Sequence, residues 1–178
     1  MPVAKPLKYF AVAAIFCLGV FAGTLLAAGQ RLAESNADIT GAMISQLPDM
    51  GTDGYVKADV SVDSENIYLE ATCRRLAMET NVIQTYAINA GMQGIRDLRP
   101  MTHDVIKDIM DMFGIEPIMV KITSYEQGAY FARLAMRQGV RVLNMDIRPS
   151  DAIAIAVRSG TPVYVNQTLL GMNGKITC

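Results

Sequence analysis

Residues 118–160 read IMVKITSYEQGAYFARLAMRQGVRVLNMDIRPSDAIAIAVRSG, and the fold class turns on this stretch. Three runs rich in β-branched and other apolar residues (118–123, 129–137 and 140–147) are separated by YEQG (125–128) and QG (138–139). Glycine-bearing turns of this kind predict strands joined as hairpins. The composition then changes. Pro149 stands where a helix can begin, Ser150 starts it, alternating Ala and Ile fill it, and Gly160 stops it. A short strand at 162–165 follows. Upstream, Val56, Ala58, Val60 and Val62 alternate with polar residues at the two-residue period of a half-buried strand. Further strands are expected at 67–71 and 76–80, joined through Cys73, Arg74 and Arg75. Asn81 with Gln84 three residues on predicts a capped helix running to about Met92. Thr102 caps a second helix, whose Val105, Ile106, Ile109, Met110 and Phe113 form the expected buried stripe, with Gly114 as its stop. Hairpin-connected, mostly antiparallel strands with two to three helices define an α+β domain rather than a doubly wound sheet.

This domain is assigned to residues 55–178 of the 178-residue chain. Residues 31–54, with Pro48, Gly51, Gly54 and no sustained periodicity, read as a linker. Residues 9–30 (YFAVAAIFCLGVFAGTLLAAGQ) carry no charge, and 17 of the 22 are apolar. As a helix they span roughly 33 Å, enough to cross a hydrocarbon core of about 30 Å. The segment is therefore expected to be a single-pass transmembrane anchor after a short N-terminal segment, 1–8. A cleaved signal peptide is the alternative, although the apolar run exceeds the usual signal core of about 7–15 residues. Lys5, Lys8 and the N-terminus favour an N-in topology with the domain extracytoplasmic.

Composition narrows the chemistry. With 16 Lys+Arg against 17 Asp+Glu, the chain lacks the broad basic surface of non-specific nucleic-acid binders. Its single histidine excludes a multi-histidine metal site, and its three cysteines, none spaced C-x-x-C, exclude a zinc finger or disulfide scaffold. Cys73 and Cys178 are expected to be free thiols, the latter at a mobile chain end. No phosphate-binding glycine loop, nucleophile elbow or H-E-x-x-H motif is present.

Two polar clusters at helix starts remain. The first is RPMTHD (99–104). His103 falls in the first helical turn beside Asp104, and Arg99 suits bidentate phosphate contact. The second is DIRPSD (146–151), where a strand ends and a helix begins, with Asp146, Arg148, Ser150 and Asp151 at one end of the sheet. Helix capping and surface ion pairs account for either cluster taken alone. Asp104, Asp108 and Asp111 share a helical face and read as a solvated acidic surface.

The two clusters, in this order and spacing, resemble the bifunctional nuclease (BFN) domain, long known as a domain of unknown function. The resemblance also takes in IT (122–123), GAYFARL (128–134), MDIRPSDAIAIA (145–156) and GTPVYV (160–165), and covers roughly residues 59–165. Two departures stand out. Ile147 replaces a small residue, and AMETN (77–81) stands where the family reads like P-I-W-I-G, with Gln84 near an acidic position.

The resemblance implies hydrolysis of phosphodiester bonds in RNA and DNA, with nucleic acid as the partner. On chemical grounds His103 is the candidate general acid or base, with Asp104, Asp146 and Asp151 either orienting it or holding one Mg-like divalent cation. Arg99, Arg148 and Ser150 are the candidate substrate-binding residues. A homo-oligomer is expected. The competing reading is a non-catalytic, membrane-tethered module that binds a ligand or oligomerises on the same fold.

Overall fold

In the computed structural model, which describes residues 50–178, the alternating apolar residues of the first expected strand form β1 (Tyr55–Asp63). It is followed by β2 (Asn66–Ala71), β3 (Arg74–Glu79), α1 (Val82–Met92), α2 (Thr102–Met112), β4 (Glu116–Glu126), β5 (Ala129–Gln138) and β6 (Arg141–Ile147). The chain finishes with α3 (Pro149–Ser159), β7 (Val163–Asn166), α4 (Gln167–Asn173) and β8 (Lys175–Ile176). Residues 52–178 form one compact unit. The expected anchor at 9–30, segment 1–8 and linker residues 31–49 lie outside the described residues. Among the described residues, no helix is long and apolar enough to cross a membrane.

The strands make one eight-stranded sheet in the order β6-β5-β4-β7-β1-β2-β3-β8. Every pairing is antiparallel except β4 with β7, which is parallel. β1 joins the two halves. Tyr55 to Ala58 pair with β7, and Asp59 to Asp63 pair with β2. The α+β class and the hairpin pattern expected from sequence are therefore observed, with a parallel seam where the chain returns through α3.

Alternation sets the inward face. Ile67 and Leu69 on β2, Leu76 and Met78 on β3, and Ile122 and Leu134 on β4 and β5 are buried. Fully burying a side chain of this size contributes roughly 1.5–3 kcal/mol. α3 packs on β4 and β5, and α1 and α2 flank it. Its Ala152, Ile153, Ala154, Ile155 and Ala156 are all buried, so the small residues let helix and sheet approach closely. Gly91 plays the same part between α1 and α3. A Cβ there would stand 2.6 Å from Arg158 Nη1 and 2.7 Å from a Val157 methyl.

Three expectations are corrected. Cys73 and Cys178 are not free thiols but form a disulfide. β8 pairs with β3 at Arg74↔Ile176, and the Thr177 N–H donates to the Cys73 carbonyl, so the chain end is delivered to the β2–β3 turn. On α2, the cap position is Met101 rather than Thr102. The stripe expected to be buried on that helix is only partly so. Met110 is buried, whereas Val105, Ile109 and Phe113 are exposed, because the inward face also carries Asp104 to meet a buried arginine.

Candidate active site

Three helix starts converge on one cavity of about 450 Å³. Asn81 belongs to the start of α1, Met101 and Thr102 to that of α2, and Arg148 to that of α3. Each start has a local cause. The Asn81 side chain accepts from the N–H groups of Ile83 and Gln84 at 3.1 and 3.0 Å. Asp104 accepts from the Met101 N–H at 2.8 Å. Pro149 occupies the first turn of α3, where its missing N–H costs nothing. Helix N-termini carry partial positive charge, so three of them around one cavity favour an anion.

His103 and Asp151 line this cavity and meet, although 48 positions apart. His103 Nε2 lies 3.2 Å from Asp151 Oδ1, with the two side chains 14% and 22% exposed. The other carboxylate oxygen, Asp151 Oδ2, accepts from Arg148 Nε at 2.6 Å. Arg148 is 72% exposed, so its terminal nitrogens face solvent at the rim. His103 Nδ1 is buried without a hydrogen-bond partner among the described residues. A carboxylate that accepts from one ring nitrogen fixes the imidazole tautomer and orientation, and leaves the other nitrogen with the lone pair.

The remaining candidates are placed elsewhere. Asp104 is buried and turned away from the cavity: Arg158 Nε donates to its Oδ1 at 2.6 Å, and Met101 N–H takes Oδ2. Burial pushes its pKa up, but the bonds from Arg158 and Met101 and the charges of Arg158 and Arg96 outweigh this and hold it below the usual carboxylate value. Asp146 is exposed on β6, opposite Arg133 on β5 and on the other face from Ile147, which lines the cavity. Arg99 is exposed in the α1–α2 connection and does not line the cavity. Ser150 is buried and lines a second, neighbouring cavity. The acidic face of α2 is occupied by cations, Asp108 by Arg96 and Asp111 by Lys107. Among the described residues, no three His, Cys, Asp or Glu side chains gather to share a metal ion. Asp104, Asp146 and Asp151 are thus not brought together in one cluster.

Sequence reasoning missed Arg158. Its side chain is 5% exposed, and Nη1 donates to the carbonyls of Ala87 and Ala154 at 2.9 Å each. It ties α1, α2 and α3 behind the cavity. The available signal was a basic residue directly after the apolar run of α3, which reads equally well as an ordinary helix-end charge. The sequence departures noted above fall on the cavities: Ile147, Asn81 and Gln84 line the first, and Ala77, Met78 and Glu79 the second.

A mixed sheet whose helix starts surround a carboxylate-held histidine and a rim arginine defines a small α+β domain with one composite cavity. The family model of the bifunctional nuclease domain matches residues 67–176, and the chain belongs to that family. Bifunctional nuclease 2 of Arabidopsis thaliana is 39% identical over 88 residues, 48% of this chain and 27% of that protein. Bifunctional nuclease 1 of Oryza sativa subsp. indica is 32% identical over 102 residues, 56% and 30% of the two chains. An uncharacterised protein of Mycobacterium tuberculosis is 36% identical over 90 residues, 51% of this chain and 53% of its own length. The matched region thus spans about half the mycobacterial relative and under a third of the plant ones.

Proposed function

We propose that the chain is a membrane-anchored nuclease that hydrolyses phosphodiester bonds of RNA or DNA at the cavity between the three helix starts. The observation that carries this reading is the His103–Asp151–Arg148 array, read together with relatives that are named nucleases. Hydrolysis needs a base for the attacking water, a proton for the leaving oxygen and compensation of charge on phosphorus. The His103–Asp151 pair supplies the proton transfers at its Nε2–carboxylate contact, since Nδ1 is buried. Asp151 also holds the ring and stabilises the imidazolium. Arg148 and the converging helix starts compensate the phosphate charge. Asp104 acts at one remove, by holding α2 and α3 together.

The anchor reading rests on the uncharged run at 9–30. The Cys73–Cys178 disulfide supports placing the domain on the oxidising, extracytoplasmic side of the membrane. Self-association is supported by the exposed Ile109, Met112 and Phe113 at the end of α2.

The test is release of acid-soluble nucleotides from RNA and from single- and double-stranded DNA by the full chain in detergent, with and without EDTA. The reading predicts hydrolysis. Inactivity on every substrate, with and without added divalent ions, moves the domain to the ligand-binding alternative.

A further inference from the structure

A second cavity, of about 550 Å³, opens beside the first, and Arg148 and Gln84 line both. Its chemistry differs. One wall is the end of the β4–β5 hairpin, where Tyr125 and Tyr130 are cross-strand partners with ring centroids 4.5 Å apart. Tyr125 is 45% exposed, so an aromatic face is open to a ligand. The Tyr130 hydroxyl donates to the Ala77 carbonyl on β3, and burial raises its pKa, so it stays a neutral part of the wall. The polar lining is Glu79, Thr80, Gln84, Ser150 and the shared Arg148, with Glu79 its one carboxylate. A carboxylate repels a phosphate but accepts from the amino groups of a nucleobase.

We propose that this second cavity is a nucleobase subsite, in which a base next to the scissile phosphate stacks on Tyr125 while Arg148 holds that phosphate at the boundary with the His103 cavity. The proposal rests on the nuclease reading and deepens it by naming the substrate class. A base can enter this cavity only when it is unstacked from its own strand, so the substrate is single-stranded nucleic acid. Stacking on Tyr125 accepts any base, and the polar side chains around it, Glu79, Thr80 and Gln84, offer partners for the base edge.

The experiment measures fluorescence anisotropy of a labelled ten-nucleotide single strand, and of the same sequence as duplex, with the full chain in detergent at low salt. Cleavage is followed in parallel. Wild type is expected to favour the single strand. Tyr125→Ala should weaken single-strand binding by about 5- to 150-fold, the range of one base–aromatic stack, and leave duplex binding unchanged. Tyr125→Phe should keep the affinity, which separates stacking from a folding defect, and His103→Ala should lose cleavage while still binding. If Tyr125→Ala binds the strand like wild type while the wild type cleaves, the subsite is overturned and the nuclease reading stands. A wild type that neither binds nor cleaves nucleic acid overturns both.

Discussion

Arg158 reaches Asp104 across 54 positions of the chain, Nε to Oδ1 at 2.6 Å, with both side chains less than a tenth exposed. A buried pair of this kind is costly to break, because the surviving partner keeps an uncompensated charge out of water. Arg158 also satisfies carbonyls on α1 and α3. Arg158→Ala should therefore destabilise the domain by roughly 3–5 kcal/mol. Urea melts of wild type and variant measure this, and a loss below about 1 kcal/mol would contradict the assignment of Arg158 as the tie between the helices.

The same pair sets an acid limit. The Asp104 pKa is lower in the folded state than its ordinary value of 3.8. The native state therefore prefers the ionised form. Its contribution is complete above the unfolded value, near 4, and is lost as pH falls through the lower folded value. Urea midpoints followed from pH 7 down to pH 2 should fall more steeply below about pH 4 for wild type than for Asp104→Asn. Parallel curves would assign the acid sensitivity to other carboxylates.

The Cys73–Cys178 bond closes a loop with a sequence separation of 105. Restricting so long a loop in the unfolded chain stabilises the fold by about 2–5 kcal/mol. Alkylation without reductant should leave both cysteines unlabelled, and Cys178→Ser should lower the melting temperature by the amount that reductant lowers it in wild type. Labelling of both residues in the native protein would contradict the pairing.

Asp151 is predicted to act through His103. Asp151→Asn replaces the acceptor for Nε2–H with an amide, leaving ring orientation and the charge of the imidazolium unsupported. The turnover rate should fall by more than tenfold, with KM changed far less. Arg148→Ala should instead raise KM, because its exposed terminal nitrogens meet the substrate. Turnover close to wild type in Asp151→Asn would reduce Asp151 to an anchor for Arg148.

Much of this domain was legible because local pattern and tertiary role coincide. Val56 to Val62 alternate and form β1. Asn81 caps α1, and Pro149 opens α3. His103 and Asp151 were each readable as helix-start residues, but their meeting at 3.2 Å depends on how α2 and α3 cross, which no local spacing encodes. Asp104 and Asp146 looked equivalent to Asp151 in sequence. Arg158 claims the first, and strand alternation turns the second away from Ile147 and the cavity. α4 escaped notice because seven residues are too few for an amphipathic period, even with Asn166 accepting from the N–H groups of Thr168 and Leu169. The disulfide escaped with it, since only α4 and the two-residue β8 bring Cys178 back to Cys73.

The most direct measurement of the central claim is the rate of RNA and DNA cleavage by wild type and His103→Ala, both shown by their melting curves to be folded. General acid–base help is typically worth about 10²–10⁴-fold, and His103→Ala should lose that much, whereas Asp108→Ala, whose carboxylate is paired with Arg96 on the surface, should cleave like wild type. Full activity in a folded His103→Ala protein would contradict the account.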